Sequence, residues 1–240
     1  MRPEIDFAGR AIQGEREDQE DFYAFEVLDK NQLLLVLADG AGGQAAGELA
    51  SRQAGMGFLD AYSDLDGGAL PNLKDALLRA NRRLAEFIDR DPAKCSTMAT
   101  TLLAVLIDDR AVQWISVGDS PLLLFRGGIV TRLNADHSGA GATGEKKMSH
   151  NVLRSALVGG RIPLVDWRKE SYPLQEGDIL LMASDGLWTL SGKEIAAYLS
   201  SHGASTASEI AIGLLQALQA KRKLHQDNAT VAVVKIQAAI

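Results

Sequence analysis

Short apolar runs, separated by glycines, prolines and charged residues, limit most strongly how this chain can fold, because such runs are typical of buried strands. They cover residues 22–28, 33–38, 101–107, 112–117, 122–125, 179–183 and 230–236. Helical spacing of apolar residues is confined to 71–90 and to two segments that begin with capping boxes at Ser191 and Thr206. Strands and helices therefore come in blocks rather than in alternation, which predicts an α+β fold instead of a doubly wound parallel sheet.

Length and composition favour one domain. The 240 residues, of which 46% are hydrophobic, are enough for one core, and we expect a single catalytic domain over residues 1–240. The chain has no long apolar run and no signal-peptide pattern, so we expect a cytoplasmic protein that does not contact a membrane. The net charge of −6 argues against a nucleic-acid partner, since nucleic-acid binders cluster Lys and Arg. The single cysteine, Cys95, excludes an internal disulfide and a multi-cysteine zinc site.

Acidic residues stand at the ends of the predicted strands. They are Glu20, Asp21, Asp39, Asp119, Asp185 and Asp227. If these strand ends converge, the carboxylates crowd together and raise one another's pKa, and a site of this kind usually holds cations. Ligation by oxygen alone favours Mn²⁺ or Mg²⁺ over zinc.

Glycines next to these acids allow the backbone to approach a ligand closely, and the carbonyl of Gly40 can itself ligate a hard cation. Two cations roughly 4 Å apart lower the pKa of a shared water and stabilise a phosphoryl group under attack, which indicates hydrolysis. One Asp-Gly dipeptide alone is more often a turn than a metal site. Several such acidic motifs in this order make a metal site the better interpretation.

Read in order, these residues resemble the type-2C class of metal-dependent serine/threonine protein phosphatases, in the compact form of bacterial members. The resemblance covers nearly the whole chain. The matching motifs lie at 16–22, 39–43, 98–101, 117–120, 151–157, 184–186 and 227–228. The resemblance implies a sandwich of two antiparallel β-sheets with helices on both sides and a dimetal site at one end.

The resemblance also implies roles for single residues around the first cation. Asp39 would bridge both divalent cations, and the carbonyl of Gly40 would be a further ligand. Asp185 and Asp227 would complete the first cation's ligands. The nucleophile would be a water shared by the two cations.

Four more residues receive roles from the same resemblance. Glu20 and Asp21 would serve the second cation, directly or through waters. Arg16 would bind the substrate phosphate, where its planar guanidinium can make two parallel hydrogen bonds. Asp119 matches a position that helps to hold a weaker third cation, although a structural turn fits this residue equally well.

Three positions depart from the family pattern. Ala41 stands where some members carry a histidine proposed as general acid. Pro121 follows Gly-Asp-Ser where arginine is common, and Thr189 replaces an acid found near Ser-Asp-Gly in some relatives. The second and third departures weaken the expectation of a third cation.

The leading hypothesis is therefore an enzyme that removes phosphate from phosphoserine and phosphothreonine in proteins, opposing a serine/threonine kinase in bacterial signalling. We expect it to act as a monomer on phosphorylated proteins, among them the kinase or its targets. A catalytically silent phosphoprotein-binding domain of the same fold is one alternative, although silent relatives are expected to lose metal ligands. A hydrolase of small phosphoesters is another, and it would share the same site.

Overall fold

Two antiparallel β-sheets form the centre of the computed structural model, which describes residues 3–41, 45–63, 72–139 and 153–239. The first sheet contains, in spatial order, β1 (Pro3–Ile12), β11 (Ala229–Ala239), β10 (Ile179–Ala183), β7 (Leu122–Arg126) and β8 (Ile129–Arg132). The second contains β2 (Asp21–Asp29), β3 (Gln32–Ala41), β5 (Leu102–Asp108), β6 (Ala111–Val117) and β9 (Asp166–Pro173), and the short β4 (Ala99–Thr100) pairs with β3.

Helices cover the outer faces of both sheets. They are α1 (Ala45–Ser63), α2 (Leu73–Arg90), α3 (Pro92–Cys95), α4 (Gly192–Ser201) and α5 (Ala207–Ala220), with a 3₁₀ turn at Asp185–Thr189. The predicted capping boxes at Ser191 and Thr206 are both present. Helix α2 begins at Leu73 with Asn72 as its N-cap, whereas Pro71, the predicted first residue, lies outside the described residues. None of the described helices is long and apolar enough to cross a membrane.

Alternate residues of the central strands face different cores, as the two-residue period of a strand requires. In β3, Leu33, Leu35 and Leu37 face a core between the two sheets, which they share with residues of β7, β10 and β11. Leu34 and Val36 face α1 and α2 instead. A third core joins the other sheet to α4 and α5. This α-β-β-α layering confirms the expected sandwich.

Several elements have no counterpart among the predicted ones, and each has a physical reason. Strand β9 reads Asp-Trp-Arg-Lys-Glu-Ser-Tyr-Pro and lies at a sheet edge, where most of its side chains are exposed, so it has no apolar run. Helix α1 buries small residues such as Ala50 and Ala54 beside Phe58, which give a weak apolar stripe. Cys95 is a buried free cysteine.

Candidate active site

Two aspartates of the second sheet lie side by side. Asp21 begins β2 and is directly opposite Asp39, near the end of β3, so their side chains project from the same face. The backbone N–H of Asp39 donates to Thr101 Oγ1 over 2.9 Å, and the N–H of Thr101 donates to the carbonyl of Asp39 over 2.9 Å. These contacts fix the end of β3 against the segment that leads into β5.

Asp21 also connects the two sheets. Its Oδ2 atom accepts a hydrogen bond from Ser184 Oγ at 2.8 Å and another from Thr230 Oγ1 at 2.7 Å. Ser184 immediately precedes Asp185, and Thr230 lies in β11, three residues after Asp227. The carboxylate of one sheet is thus held by the chain segments that carry the acids of the other.

Close backbone packing brings Asp185 next to Asp227. A Cβ atom on Gly186 would lie 2.0 Å from the carbonyl oxygen of Asn228, so only glycine allows the 3₁₀ turn to rest on the start of β11. Asp227 in turn raises the pKa of Asp185, after the larger effect of burial. The two acids expected to serve one cation are therefore close enough to interact electrostatically.

Glu20 lies in a space that glycines leave open. The N–H of Gly40 donates to the carbonyl of Glu20 over 3.1 Å, and a Cβ atom on Gly47 would lie 2.2 Å from Glu20 Oε1. Glu20 Oε1 and Asp21 Oδ1 are buried, and neither has a hydrogen-bond partner among the described residues. Buried carboxylate oxygens without partners are costly and call for an explanation, of which a bound ion is one.

Several carboxylates of this cluster have raised pKa values. Burial raises the pKa of Asp21 to about 7, and the charges of Asp185 and Asp227 add to this effect. Burial followed by the charge of Asp21 raises the pKa of Asp39 well above its ordinary value. The pKa of Glu20 is also raised, mainly by burial. The group thus concentrates negative charge that a cation would neutralise.

Asp119 lies at the edge of the same cluster. Burial raises its pKa to about 6, and Asp185 is the next contributor. The preceding Gly118 has a φ angle of 106°, and its N–H donates to Nδ1 of the buried His137 over 3.2 Å. Arg132 Nη2 donates to the carbonyl of Asp119 over 2.8 Å. These contacts fix the turn from two sides. They are compatible both with Asp119 as a ligand of a third cation and with a purely structural turn.

Arg16 reaches the cluster from the loop between β1 and β2. Its Nη2 atom donates to Asp227 Oδ2 at 2.6 Å, while 52% of the arginine side chain stays exposed. The side chain of Asn228 fixes this loop: Oδ1 accepts from the N–H of Glu20 at 2.8 Å, and Nδ2 donates to the carbonyls of Gln13 and Asp18 at 2.7 and 3.0 Å. Asn228 therefore positions both Arg16 and Glu20.

The donor set fits a hard divalent cation. All the acids predicted from the sequence supply oxygen, and two buried oxygens have no hydrogen-bond partner in the described part of the chain. Within those same residues, no three His, Cys, Asp or Glu side chains form a group that could hold a metal ion as it stands.

Some positioning residues were not recognised from the sequence. Thr101, Ser184 and Asn228 lie inside the matching motifs, but no role was assigned to them. Thr230 and Gly47 gave no signal, because their contacts with Asp21 and Glu20 depend on long-range packing. Residues 42–43 and 151–152 of the motifs lie outside the described residues.

Comparisons with known proteins indicate the family to which this chain belongs. The family model described as Stage II sporulation protein E (SpoIIE) matches residues 29–237. The serine/threonine protein phosphatase PstP of Mycobacterium tuberculosis is 34% identical over 167 residues, or 64% of this chain, and the chain spans 31% of that relative's length.

Solved structures show the same fold over almost the whole chain. The S. agalactiae serine/threonine phosphatase has a TM-score of 0.83 and 26% identity, and the match covers 98% of this chain and 100% of that one. The catalytic domain of PstP in complex with 2 manganese ions has a TM-score of 0.79 and 27% identity, covering 98% and 99%. The protein therefore belongs to the SpoIIE family of domains, which are of the type-2C kind.

Proposed function

We propose that this protein hydrolyses the phosphate esters of phosphoserine and phosphothreonine in other proteins, with two Mn²⁺ or Mg²⁺ ions held by the carboxylate cluster. The observation that carries the proposal is the cluster itself. Asp21, Asp39 and Asp185 all have raised pKa values, chiefly through burial, and Glu20 Oε1 and Asp21 Oδ1 are buried without partners in the described chain. Such a group is poorly suited to a metal-free state and well suited to divalent cations.

In this proposal the ligands are those that the family resemblance implies. Asp39 lies between the two halves of the cluster, beside Asp21 across the β-ladder and within the field of Asp185, which suits a bridging carboxylate. Asp185, Asp227 and the carbonyl of Gly40 would serve one cation, and Glu20 and Asp21 the other. Asp119 would contribute to a weaker third cation. Divalent cations supply an activated water and neutralise charge on the phosphoryl group.

Arg16 would orient the substrate. Its guanidinium has five N–H donors, and one nitrogen is within hydrogen-bonding distance of Asp227, so further donors remain for phosphate oxygens. Half of its side chain is exposed, which leaves it accessible to a protein-bound phosphate. The resulting bidentate contact would hold the phosphoryl group over the cluster while the serine or threonine oxygen leaves.

The proposal extends to partners. Phosphoserine and phosphothreonine in proteins are products of kinases, so a serine/threonine kinase or its targets would supply the substrate. We further propose that the protein acts as a monomer in the cytoplasm. Gel filtration with light scattering tests the oligomeric state directly.

The decisive experiment measures hydrolysis of p-nitrophenyl phosphate and of a phosphothreonine peptide with EDTA, Mg²⁺ or Mn²⁺. The variants are Asp39→Asn and Asp185→Asn, and the matched control is Asp89→Asn, an exposed acid on α2. We expect activity that metal restores, that both site variants lose by at least about 100-fold, and that the control keeps. A preference for the peptide supports a protein substrate. Folded wild-type protein that is inactive with every metal would favour the silent, phosphoprotein-binding alternative.

A further inference from the structure

A positively charged side chain, that of Lys223, lies beside the carboxylate cluster, in the turn between α5 and β11. Lys223 Nζ donates to Thr189 Oγ1 over 3.3 Å, and Thr189 Oγ1 donates to Gln226 Oε1 over 2.8 Å. Thr189 ends the 3₁₀ turn that begins with Asp185, and Gln226 precedes Asp227. These contacts place the ammonium group next to two of the proposed metal-binding segments.

The same turn is joined to the loop that carries Arg16. The N–H of Glu15 donates to the carbonyl of Gln226 over 2.8 Å, and the N–H of His225 donates to Glu15 Oε2 over 2.7 Å. Arg16 and Lys223 therefore stand on two connected loops that border one site. The positive charges of Arg16 and Lys223 both lower the pKa of Asp185, against the larger raising effects of burial and of Asp227.

The charge of Lys223 is not cancelled by its contact, which sets it apart from a neighbouring lysine. Lys221 forms an ion pair with Glu194, so its charge is balanced locally. Thr189, the contact of Lys223, is neutral. An ammonium group has three donors, and a hydroxyl needs only one of them. Lys223 is exposed, and Leu224 beside it is 77% exposed, so an approaching chain can reach this turn.

The turn has a backbone shape that costs free energy. Arg222 and His225 have φ angles of 48° and 57°, in the left-handed region that residues with a Cβ atom seldom adopt. Glu15 stabilises this shape through its hydrogen bond to His225. Strain of this kind persists where the surrounding structure enforces it, and it is concentrated at functional sites. Lys223 and Leu224, which are both exposed, lie between these two residues in the turn.

We propose that Lys223 determines substrate specificity by binding a second anionic group of the phosphoprotein, either a carboxylate or another phosphate, close to the phosphoryl group held by Arg16. This inference rests on the proposed phosphatase function and deepens it. The substrate class is a phosphoserine or phosphothreonine segment with additional negative charge beside the modified residue. Trp188, in the adjoining 3₁₀ turn, is 43% exposed and offers an apolar surface for the same segment.

Steady-state kinetics with three phosphothreonine peptides test the proposal. The peptides differ only at positions flanking the phosphothreonine, which carry glutamine, glutamate or a second phosphothreonine. At low ionic strength with Mn²⁺, we expect wild-type protein to show a KM about three- to fivefold lower for both charged peptides, as one exposed ion pair provides. In Lys223→Gln this KM ratio should fall to about one, and Lys223→Arg should restore it.

Lys221→Gln is the matched control, since it removes the same charge two residues away and should keep the wild-type ratio. Thermal unfolding verifies that all variants are folded. If Lys223→Gln keeps the wild-type ratio, or if Lys221→Gln loses it equally, the inference is overturned while the phosphatase function stands. Wild-type protein inactive toward all three peptides and p-nitrophenyl phosphate refutes the phosphatase function and this inference with it. Different ratios for glutamate and phosphothreonine peptides identify which anion Lys223 binds.

Discussion

Asp21 and Asp39 occupy directly opposite positions in the β2–β3 ladder, so the pairing of two strands puts two carboxylates on one face of the sheet. Like charges that face each other across a ladder destabilise a sheet. Here the penalty is expressed as raised pKa values: burial is the main cause at both residues, and the charge of Asp21 is the next contributor at Asp39. The ladder therefore places two carboxylates where they repel each other, and a bound cation would reduce this repulsion.

The first prediction concerns the metal-free protein and Asp21→Asn. The pKa of Asp21 rises from 3.8 to about 7 on folding, so the folded state binds more protons than the unfolded state between these values. The free energy of unfolding therefore falls as pH rises through this window and levels off above it. We expect Asp21→Asn to stabilise the EDTA-treated protein by about 1–3 kcal/mol at pH 8, and by less at pH 5.

Urea unfolding at the two pH values measures this difference. Asp29→Asn, at the other end of β2, removes the same charge from an exposed position and should change little at either pH. Equal destabilisation by Asp21→Asn at both pH values would contradict the prediction. It would mean that the hydrogen bonds from Ser184 and Thr230 to Asp21 stabilise the fold more than the buried charge of Asp21 destabilises it.

The second prediction is that binding of Mn²⁺ releases protons. Asp21 and Asp119, with pKa values of about 7 and about 6, are partly protonated at pH 6.5 and must lose those protons to ligate. Calorimetric titration in two buffers with different ionisation enthalpies should give different binding enthalpies at pH 6.5 and closer values at pH 8.5. Identical binding enthalpies in the two buffers at pH 6.5 would show that no carboxyl group with a raised pKa loses its proton when Mn²⁺ binds.

The third prediction uses Gly47→Ala, in the first turn of α1. Alanine favours a helix by about 1 kcal/mol relative to glycine, but its Cβ atom would lie 2.2 Å from Glu20 Oε1. Because Glu20 can move its side chain, we expect unfolding free energy to change by no more than about 1 kcal/mol while phosphatase activity falls by at least about tenfold.

Gly192→Ala is the control for that variant. Gly192 begins α4, and nothing lies within 4 Å of a Cβ atom built there, so activity should stay at the wild-type level. Paired kinetic and thermal measurements on both variants make the comparison. Full activity in Gly47→Ala would show that the position of Glu20 does not matter for turnover.

The fourth prediction concerns Asn228→Ala. This change leaves the N–H of Glu20 and the carbonyls of Gln13 and Asp18 without their partner. We expect a loss of about 1–3 kcal/mol in unfolding free energy. The KM for p-nitrophenyl phosphate should also rise, because the loop that positions Arg16 is released.

Asn81→Ala separates these two effects. Asn81 is also buried, and it bonds the backbone of Gly159 and Gly160 rather than the Arg16 loop. Its loss should cost similar stability with no change in KM. A similar rise in KM in both variants would assign the effect to general loosening of the fold.

The sequence was sufficient where the signal is local. Capping boxes at Ser191 and Thr206 and the apolar run before Asp39 are patterns of neighbouring residues, and all three were predicted correctly. The pairing of Asp21 with Asp39 and the hydroxyl contacts of Thr230 were not predictable, because they depend on strand register and on how closely two sheets approach. Strand β9 was missed since its exposed edge position requires no apolar run.

The hydrogen bonds from Ser184 and Thr230 to Asp21 link the two sheets. The position of this carboxylate therefore depends on how the sheets are aligned. The core between the sheets sets their spacing, and its interior is packed too densely to absorb a change in side-chain volume without movement. Substitutions at Leu35 or Val234, both buried in that core, therefore alter how the acids of one sheet meet those of the other. Hydrophobic residues that lie away from the acids thus help to set the geometry of the site.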